Sequence, residues 1–299
     1  MKKKIVVLGA GMSGIGAAVL AKKKGFNVFV SDKGSITEKS KAVLLNNEID
    51  WEEGSHTLDL ILNADEVIKS PGIPDGNEVI QQINNKGIAI VSEVEFAFRY
   101  TNAKIAAITG SNGKTTTTLL LGHTLKNAGY DVLVAGNVGV GFASSIAERD
   151  YDYIVLELSS YQLDGIKEFR SDIAILLNIT PDHLDRYDNK LEQYAESKFR
   201  ITENQTEHDF LILNADDTIV NKISTKAKRL PISLIQEQKE GGFLKNNELI
   251  INLNNKTMKI QELTLQGKHN IFNSMAAAMA ARVFEVKDSV IRQSMIDFQ

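Results

Sequence analysis

The run Thr109-Gly110-Ser111-Asn112-Gly113-Lys114-Thr115-Thr116-Thr117 carries the most specific chemistry in the chain. It follows an apolar stretch, Lys104-Ile105-Ala106-Ala107-Ile108, and opens a helix-like one that begins Thr118-Leu119-Leu120-Leu121. Strand, glycine turn, Gly-Lys-Thr and helix is the order in which a nucleotide-phosphate loop is built. Its backbone N–H groups and helix N-terminus cradle phosphate oxygens, the lysine supplies a point charge, and the next hydroxyl can reach Mg²⁺. ATP is the expected ligand. The spacing is short: only two residues separate Gly110 from Gly113, where the common pattern has four before its Gly-Lys. The plainer alternative is a glycine turn before a helix with a chance lysine. The flanking strand and helix favour the phosphate loop.

Other polar groups gather after apolar stretches. Gly9-Ala10-Gly11-Met12-Ser13-Gly14 follows a short strand and opens a helix, and Asp32 lies about 20 residues further on. That is a dinucleotide fingerprint, and alone it suggests NAD and an oxidoreductase. The physics demands only an anion at a helix N-terminus, so a UDP-sugar pyrophosphate serves equally well. Glu157 ends the stretch Tyr153-Ile154-Val155-Leu156, a good place from which to hold Mg²⁺ against phosphate. Asn178 to Tyr187 packs polar groups behind another strand; His183, flanked by Asp182 and Asp185, is a metal ligand, a hydrogen-bond donor or a structural histidine. Lys198 reads as a surface lysine on a helix from Leu191 to Thr202. As an ammonium it has donors only, and ligates a cation only if deprotonated or carbamylated. Asn270 and Asn273 share one face of a late helix, and their spacing favours capping over base or ribose contact.

These residues need strands to place them, and strand and helix signals alternate along the chain. That predicts an α/β fold: a Rossmann-like N-terminal domain, then a P-loop NTPase-like central domain with a mainly parallel sheet. At 299 residues and about 150 residues per domain, two domains are expected, 1–93 and 94–299. Short alternating runs over 228–265 predict a small antiparallel excursion, and Ser289–Gln299 reads as a helix cut short. Hydrophobic residues make up 43% and charged residues 24%, ordinary for a globular protein. A net charge of −4 gives no basic footprint for nucleic acid. The chain has no cysteine, which excludes a disulfide framework and suits a reducing cytoplasm. No apolar run approaches the roughly 20 residues of a membrane span, and no signal peptide is apparent.

Together these segments resemble the Mur ligases, ATP-dependent amide-forming enzymes of peptidoglycan precursor synthesis. The phosphate loop Thr109–Thr117 has the family's shortened form. The stretches Glu157-Leu158-Ser159-Ser160-Tyr161-Gln162 and Pro181-Asp182-His183-Leu184-Asp185-Arg186-Tyr187 resemble the D-glutamate-adding branch. Asn112 counts against the L-alanine-adding branch, which remains the alternative within the family. The resemblance implies addition of D-glutamate to UDP-N-acetylmuramoyl-L-alanine through an acyl phosphate, by a cytoplasmic monomer with no nucleic-acid or membrane partner. It implies ATP phosphates on Gly110, Ser111, Asn112, Gly113, Lys114, Thr115 and Thr116, and adenine near Asn270 and Asn273. One Mg²⁺ would sit on Thr115 and Glu157. A second would sit on His183 and Lys198, the lysine carbamylated. Lys114, Glu157, His183 and Lys198 would be catalytic. Gly11, Met12, Ser13, Asp32, Lys33, Ser70, Pro71 and Gly72 would line the UDP pocket; Asn137, Ser159 and Gln162 would approach the muramoyl-alanine arm. Family members continue into a third, amino-acid-binding domain. Its absence predicts a fragment that binds the UDP-sugar, binds ATP poorly and does not turn over alone.

Overall fold

The structure, a computed structural model, describes residues 2–265 and 267–298. The chain divides into two compact units. Unit 1 comprises Met1–Asn102, Gly139–Asp150 and Tyr161–Phe169; unit 2 comprises Ala103–Val138, Tyr151–Ser160 and Arg170–Gln299.

The first stretch of unit 1 alternates strand and helix. It runs β1 (Lys4–Leu8), α1 (Met12–Lys23), β2 (Asn27–Asp32), α2 (Glu38–Asn46), β3 (Asp50–Glu53), α3 (Leu58–Ile61), β4 (Glu66–Lys69), α4 (Glu78–Asn85), β5 (Ala89–Val91) and α5 (Glu93–Phe98). The strands form one parallel sheet in the order β3-β2-β1-β4-β5. Ile5, Val6, Val7 and Leu8 are all buried, as a parallel strand covered on both faces requires. Val6, Leu8 and Val67 pack with Ile61, Ile80 and Ile83 in one cluster. The edge strand β3, Asp-Trp-Glu-Glu, carries no apolar alternation and is set by pairing with β2.

Unit 2 is built on β6 (Lys104–Thr109), α6 (Lys114–Asn127) and β7 (Val132–Gly136). The chain then passes through α7 (Phe142–Glu148), which belongs to unit 1, and returns for β8 (Tyr153–Glu157) and the start of α8 (Ser160–Leu163). There follow β9 (Ile173–Leu176), α9 (Leu191–Phe199), β10 (Phe210–Asn214), β11 (Lys228–Ser233), β12 (Gly241–Lys245), β13 (Glu248–Leu253), β14 (Lys256–Ile260), α10 (Lys268–Val283) and α11 (Asp288–Asp297). The sheet order is β14-β13-β12-β11-β10-β9-β6-β8-β7. The excursion is narrower than its sequence pattern: β11 pairs in parallel with β10, and among the described residues only β12, β13 and β14 pair antiparallel. Their two turns, Asn246-Asn247 and Asn254-Asn255, hold φ between 49° and 62°, the left-handed region that asparagine tolerates in tight hairpins. The alanine-rich α10 buries Met275 to Ala281 against this sheet. The helix expected over 289–299 is α11, Asp288–Asp297, and Gln299 lies outside the described residues.

Candidate active site

In unit 2 the parallel strands β6, β8 and β9 present their C-terminal ends side by side, where ligands of such sheets bind. The loop after β6 is held by the chain after β9. Ser111 N donates to Asn178 O at 2.9 Å, and Asn112 N to Asn178 Oδ1 at 2.8 Å. Asn178 Nδ2 returns a bond to Asn112 O at 2.9 Å. Ser111 Oγ donates to Thr180 O and accepts from Thr180 N, both at 2.9 Å. Gly110 (φ 152°) and Gly113 (φ 86°) supply the backbone that this loop needs. A Cβ on Gly113 would overlap Asn273 Oδ1, which places Asn273 against the loop.

Gly113 caps α6 without a side-chain bond, so the first-turn N–H groups face outward for an anion. Lys114 Nζ donates to Gly110 O and Ser111 O, both at 2.9 Å. Burial pulls the Lys114 ammonium below its ordinary pKa, while Glu157 and Asp182 pull it upward. Thr115 Oγ1 donates to Glu157 Oε2 at 2.8 Å, and Asn137 Nδ2 to Glu157 Oε1 at 2.9 Å. A hydroxyl and a buried carboxylate therefore meet beside the loop. These hard oxygen donors fit Mg²⁺, which takes one or two carboxylates and completes its shell with phosphate and water.

Lys198 is not a surface lysine. It is 1% exposed, its Nζ donates to Gly110 O at 3.0 Å and lies 4.5 Å from the centre of the Tyr194 ring. As an ammonium it does not fit a cation; as a carbamate it would. His183 sits at φ 50°, with Nε2 3.6 Å from Asp182 Oδ2 and its side chain 58% exposed. Among the described residues, no group of three or more His, Cys, Asp or Glu could hold a metal. Asn270 and Asn273 do not cap α10: Gly267 is the cap residue, Asn270 lies in the first turn and Asn273 is buried. Neither precedes the helix, as a cap must.

Unit 1 carries the other loop. Gly9 N donates to Ser31 O at 2.9 Å, and Ala10 N to Asp32 Oδ2 at 2.6 Å. Asp32 Oδ1 accepts from Gly34 N at 2.8 Å. Asp32 thus bonds two of the chain's own loops. A Cβ on Gly14 would overlap Gly9 O, and one on Gly9 would overlap Ser70 Oγ. Gly11, in contrast, has nothing within 4 Å of its missing Cβ. Two glycines answer to packing, and the third leaves backbone open to a ligand. Met12 beside it is 66% exposed. Lys33 follows Asp32, and Ser70 opens the turn with Pro71 and Gly72; Ser70 N donates to Leu8 O at 2.9 Å. Of the three residues expected at the muramoyl-alanine arm, Asn137 and Ser159 fall in unit 2, and Gln162, nearly buried, in unit 1.

Residues 108–281 match the Mur ligase middle domain, and residues 3–92 the Mur ligase MurD-like N-terminal domain. The chain belongs to the Mur ligase family. The Mur ligases use ATP, as the loop chemistry requires. The chain is 50% identical to the UDP-N-acetylmuramoylalanine–D-glutamate ligase of Christiangramia forsetii over 305 aligned residues, covering 100% of this chain and 68% of that protein. It is 49% identical to the ligase of the same name from Bacteroides fragilis, at 99% and 68% coverage. Among solved structures, the UDP-N-acetylmuramate:L-alanyl-γ-D-glutamyl-meso-diaminopimelate ligase from Neisseria meningitides superposes with a TM-score of 0.68 at 20% identity, covering 100% of this chain and 99% of that one. That likeness shows the Mur ligase fold. No helix among the described residues is long and apolar enough to cross a membrane.

Proposed function

We propose that this Mur ligase joins D-glutamate to UDP-N-acetylmuramoyl-L-alanine at the expense of ATP. The observation that carries the reading is 50% identity over the whole chain to a ligase of that name, with the phosphate loop and its Glu157–Thr115 pair intact. The terminal carboxylate of the UDP-sugar is a poor electrophile. Its oxygen takes the γ-phosphoryl group of ATP and ADP leaves, giving an acyl phosphate. The D-glutamate amine then attacks the acyl carbon, loses a proton, and phosphate departs.

In this reading Lys114 and the first turn of α6 hold the phosphates, and Asn270 and Asn273 lie near the adenine. Thr115 and Glu157 hold Mg²⁺, which would supply charge neutralisation between two anionic reactants. His183 and a carbamylated Lys198 hold a second Mg²⁺. The loops at Gly11, Met12, Ser13, Asp32, Lys33 and Ser70 to Gly72 take the UDP, and Asn137, Ser159 and Gln162 the muramoyl-alanine arm. The protein is a cytoplasmic monomer.

Calorimetric titration with UDP-N-acetylmuramoyl-L-alanine and with NADH tests the reading. Binding of the UDP-sugar alone is expected; tight NADH binding alone would sink it. A product assay of the intact enzyme with D-glutamate and with L-alanine separates it from the L-alanine-adding alternative, which would take the unsubstituted UDP-sugar. Loss of a carbamate carbon signal on Lys198→Ala, in protein labelled with ¹³C-bicarbonate, checks the second metal site.

A further inference from the structure

One short helix, α5, bonds both of the other chain pieces of unit 1: Glu93 Oε1 accepts from Ala143 N at 2.6 Å, and Glu95 reaches the piece Tyr161–Phe169. Its Glu95 is fully buried, and Oε2 accepts from the backbone N–H of Lys167 at 2.9 Å, Glu168 at 3.0 Å and Phe169 at 2.9 Å. Three consecutive N–H groups converging on one oxygen make an anion nest, and here the anion is the protein's own side chain. Oε1 faces Arg99 Nη2 at 3.4 Å. Beside it, Ser92 N donates to Gly165 O at 2.9 Å. A Cβ on Gly165 would come within 2.9 Å of Ser92 N, so the approach needs glycine. The Phe98 and Phe169 rings meet edge to face at 5.4 Å.

This clamp lies just behind Gln162. The Gln162 carbonyl accepts from Gly165 N and the Leu163 carbonyl from Ile166 N, both at 3.3 Å. Leu163, Ile166 and Phe169 are buried, and Gln162 is 5% exposed. From Gln162 to the nest the backbone is therefore tied at successive residues.

We propose that Glu95 is a positioning residue for the UDP-sugar: by fixing Gly165 to Phe169 it sets where Gln162 meets the substrate. The proposal rests on the reading of Gln162 as a substrate contact given above. Glu95 touches no substrate itself.

The test is calorimetric titration of the intact protein with UDP-N-acetylmuramoyl-L-alanine and, separately, with Mg²⁺-ADP. Glu95→Gln keeps the shape and removes the charge that the nest holds; Glu95→Ala removes the anchor. Glu95→Gln is expected to weaken UDP-sugar binding by up to about tenfold, the worth of one hydrogen bond, and to leave ADP binding unchanged. In a Gln162→Ala background the same change should have little further effect, because the two act as one unit. If Glu95→Ala does not fold, Glu95→Gln carries the test. Wild-type UDP-sugar affinity in a folded Glu95→Gln protein, or additive losses in the double variant, overturns the positioning role. A wild-type protein that does not bind the UDP-sugar overturns the functional reading as well.

Discussion

At Glu157, one carboxylate meets two donors, Thr115 in the first turn of α6 at 2.8 Å and Asn137 just after β7 at 2.9 Å. In the proposed reading the threonine after Lys114 serves the metal: a hydroxyl can share a cation with the carboxylate, which a methyl cannot. Glu157→Gln or Thr115→Val is expected to weaken Mg²⁺-dependent nucleotide binding by at least about tenfold, roughly 1.4 kcal/mol. Titrations with and without Mg²⁺ check this; an unchanged magnesium effect would remove Glu157 from the metal. Lys198 carries the opposite lesson. On a helix of mixed polarity it reads as solvated, yet it reaches back across sequence to the Gly110 carbonyl and is buried. The family resemblance pointed to the residue, whereas its own helix gave no sign, because the burial comes from tertiary contacts.

Among the elements, the loop–helix units were legible because their information is local. Each has its glycines, its cation or acid, and its helix within a short window, and the structure places both loops at strand ends. The alternation of strand and helix likewise predicted both sheets. What stayed hidden depends on distant partners. The strand β3 is charged and takes its conformation from β2. The helix α5 reads Glu-Val-Glu-Phe-Ala-Phe, ordinary in sequence, while its two carboxylates bond backbone groups 50 and 72 to 74 residues away. At the phosphate loop, Gly113→Ala would force an alanine to φ 86° and set its Cβ into Asn273. A loss of about 1–3 kcal/mol in denaturant unfolding is expected, with weaker nucleotide binding. Unchanged stability would mean that the loop relaxes freely.

Over the whole molecule, the buried Glu93 links stability to pH. Desolvation raises its pKa from 4.5 to about 7, against a single opposing bond from Ala143 N. The folded chain therefore keeps a proton that the unfolded chain releases between pH 4.5 and 7. Stability falls as pH rises through that window and is level above it, a loss on the order of 3 kcal/mol from this group. Glu93→Gln should flatten the slope and unfold at higher denaturant than wild type at pH 8. Equilibrium unfolding at several pH values reads both, and an unchanged slope in the variant would show that Glu93 does not titrate this way.

The same α5 carboxylates bear on whether the chain can be taken apart. Unit 1 borrows Gly139–Asp150 and Tyr161–Phe169 from later in the sequence. A peptide ending at Asn102 would keep Glu93 and Glu95 but lose every backbone N–H they bind in those pieces. Glu95 would keep Arg99 alone and Glu93 would lose its Ala143 donor, and losing four hydrogen bonds to carboxylates is strongly destabilising. Such a peptide should show no cooperative unfolding by circular dichroism, even though its five-stranded sheet is complete. In genetic terms unit 1 is not a cassette: a single crossover that carries all three of its pieces must also carry Ala103–Val138 and Tyr151–Ser160 of unit 2.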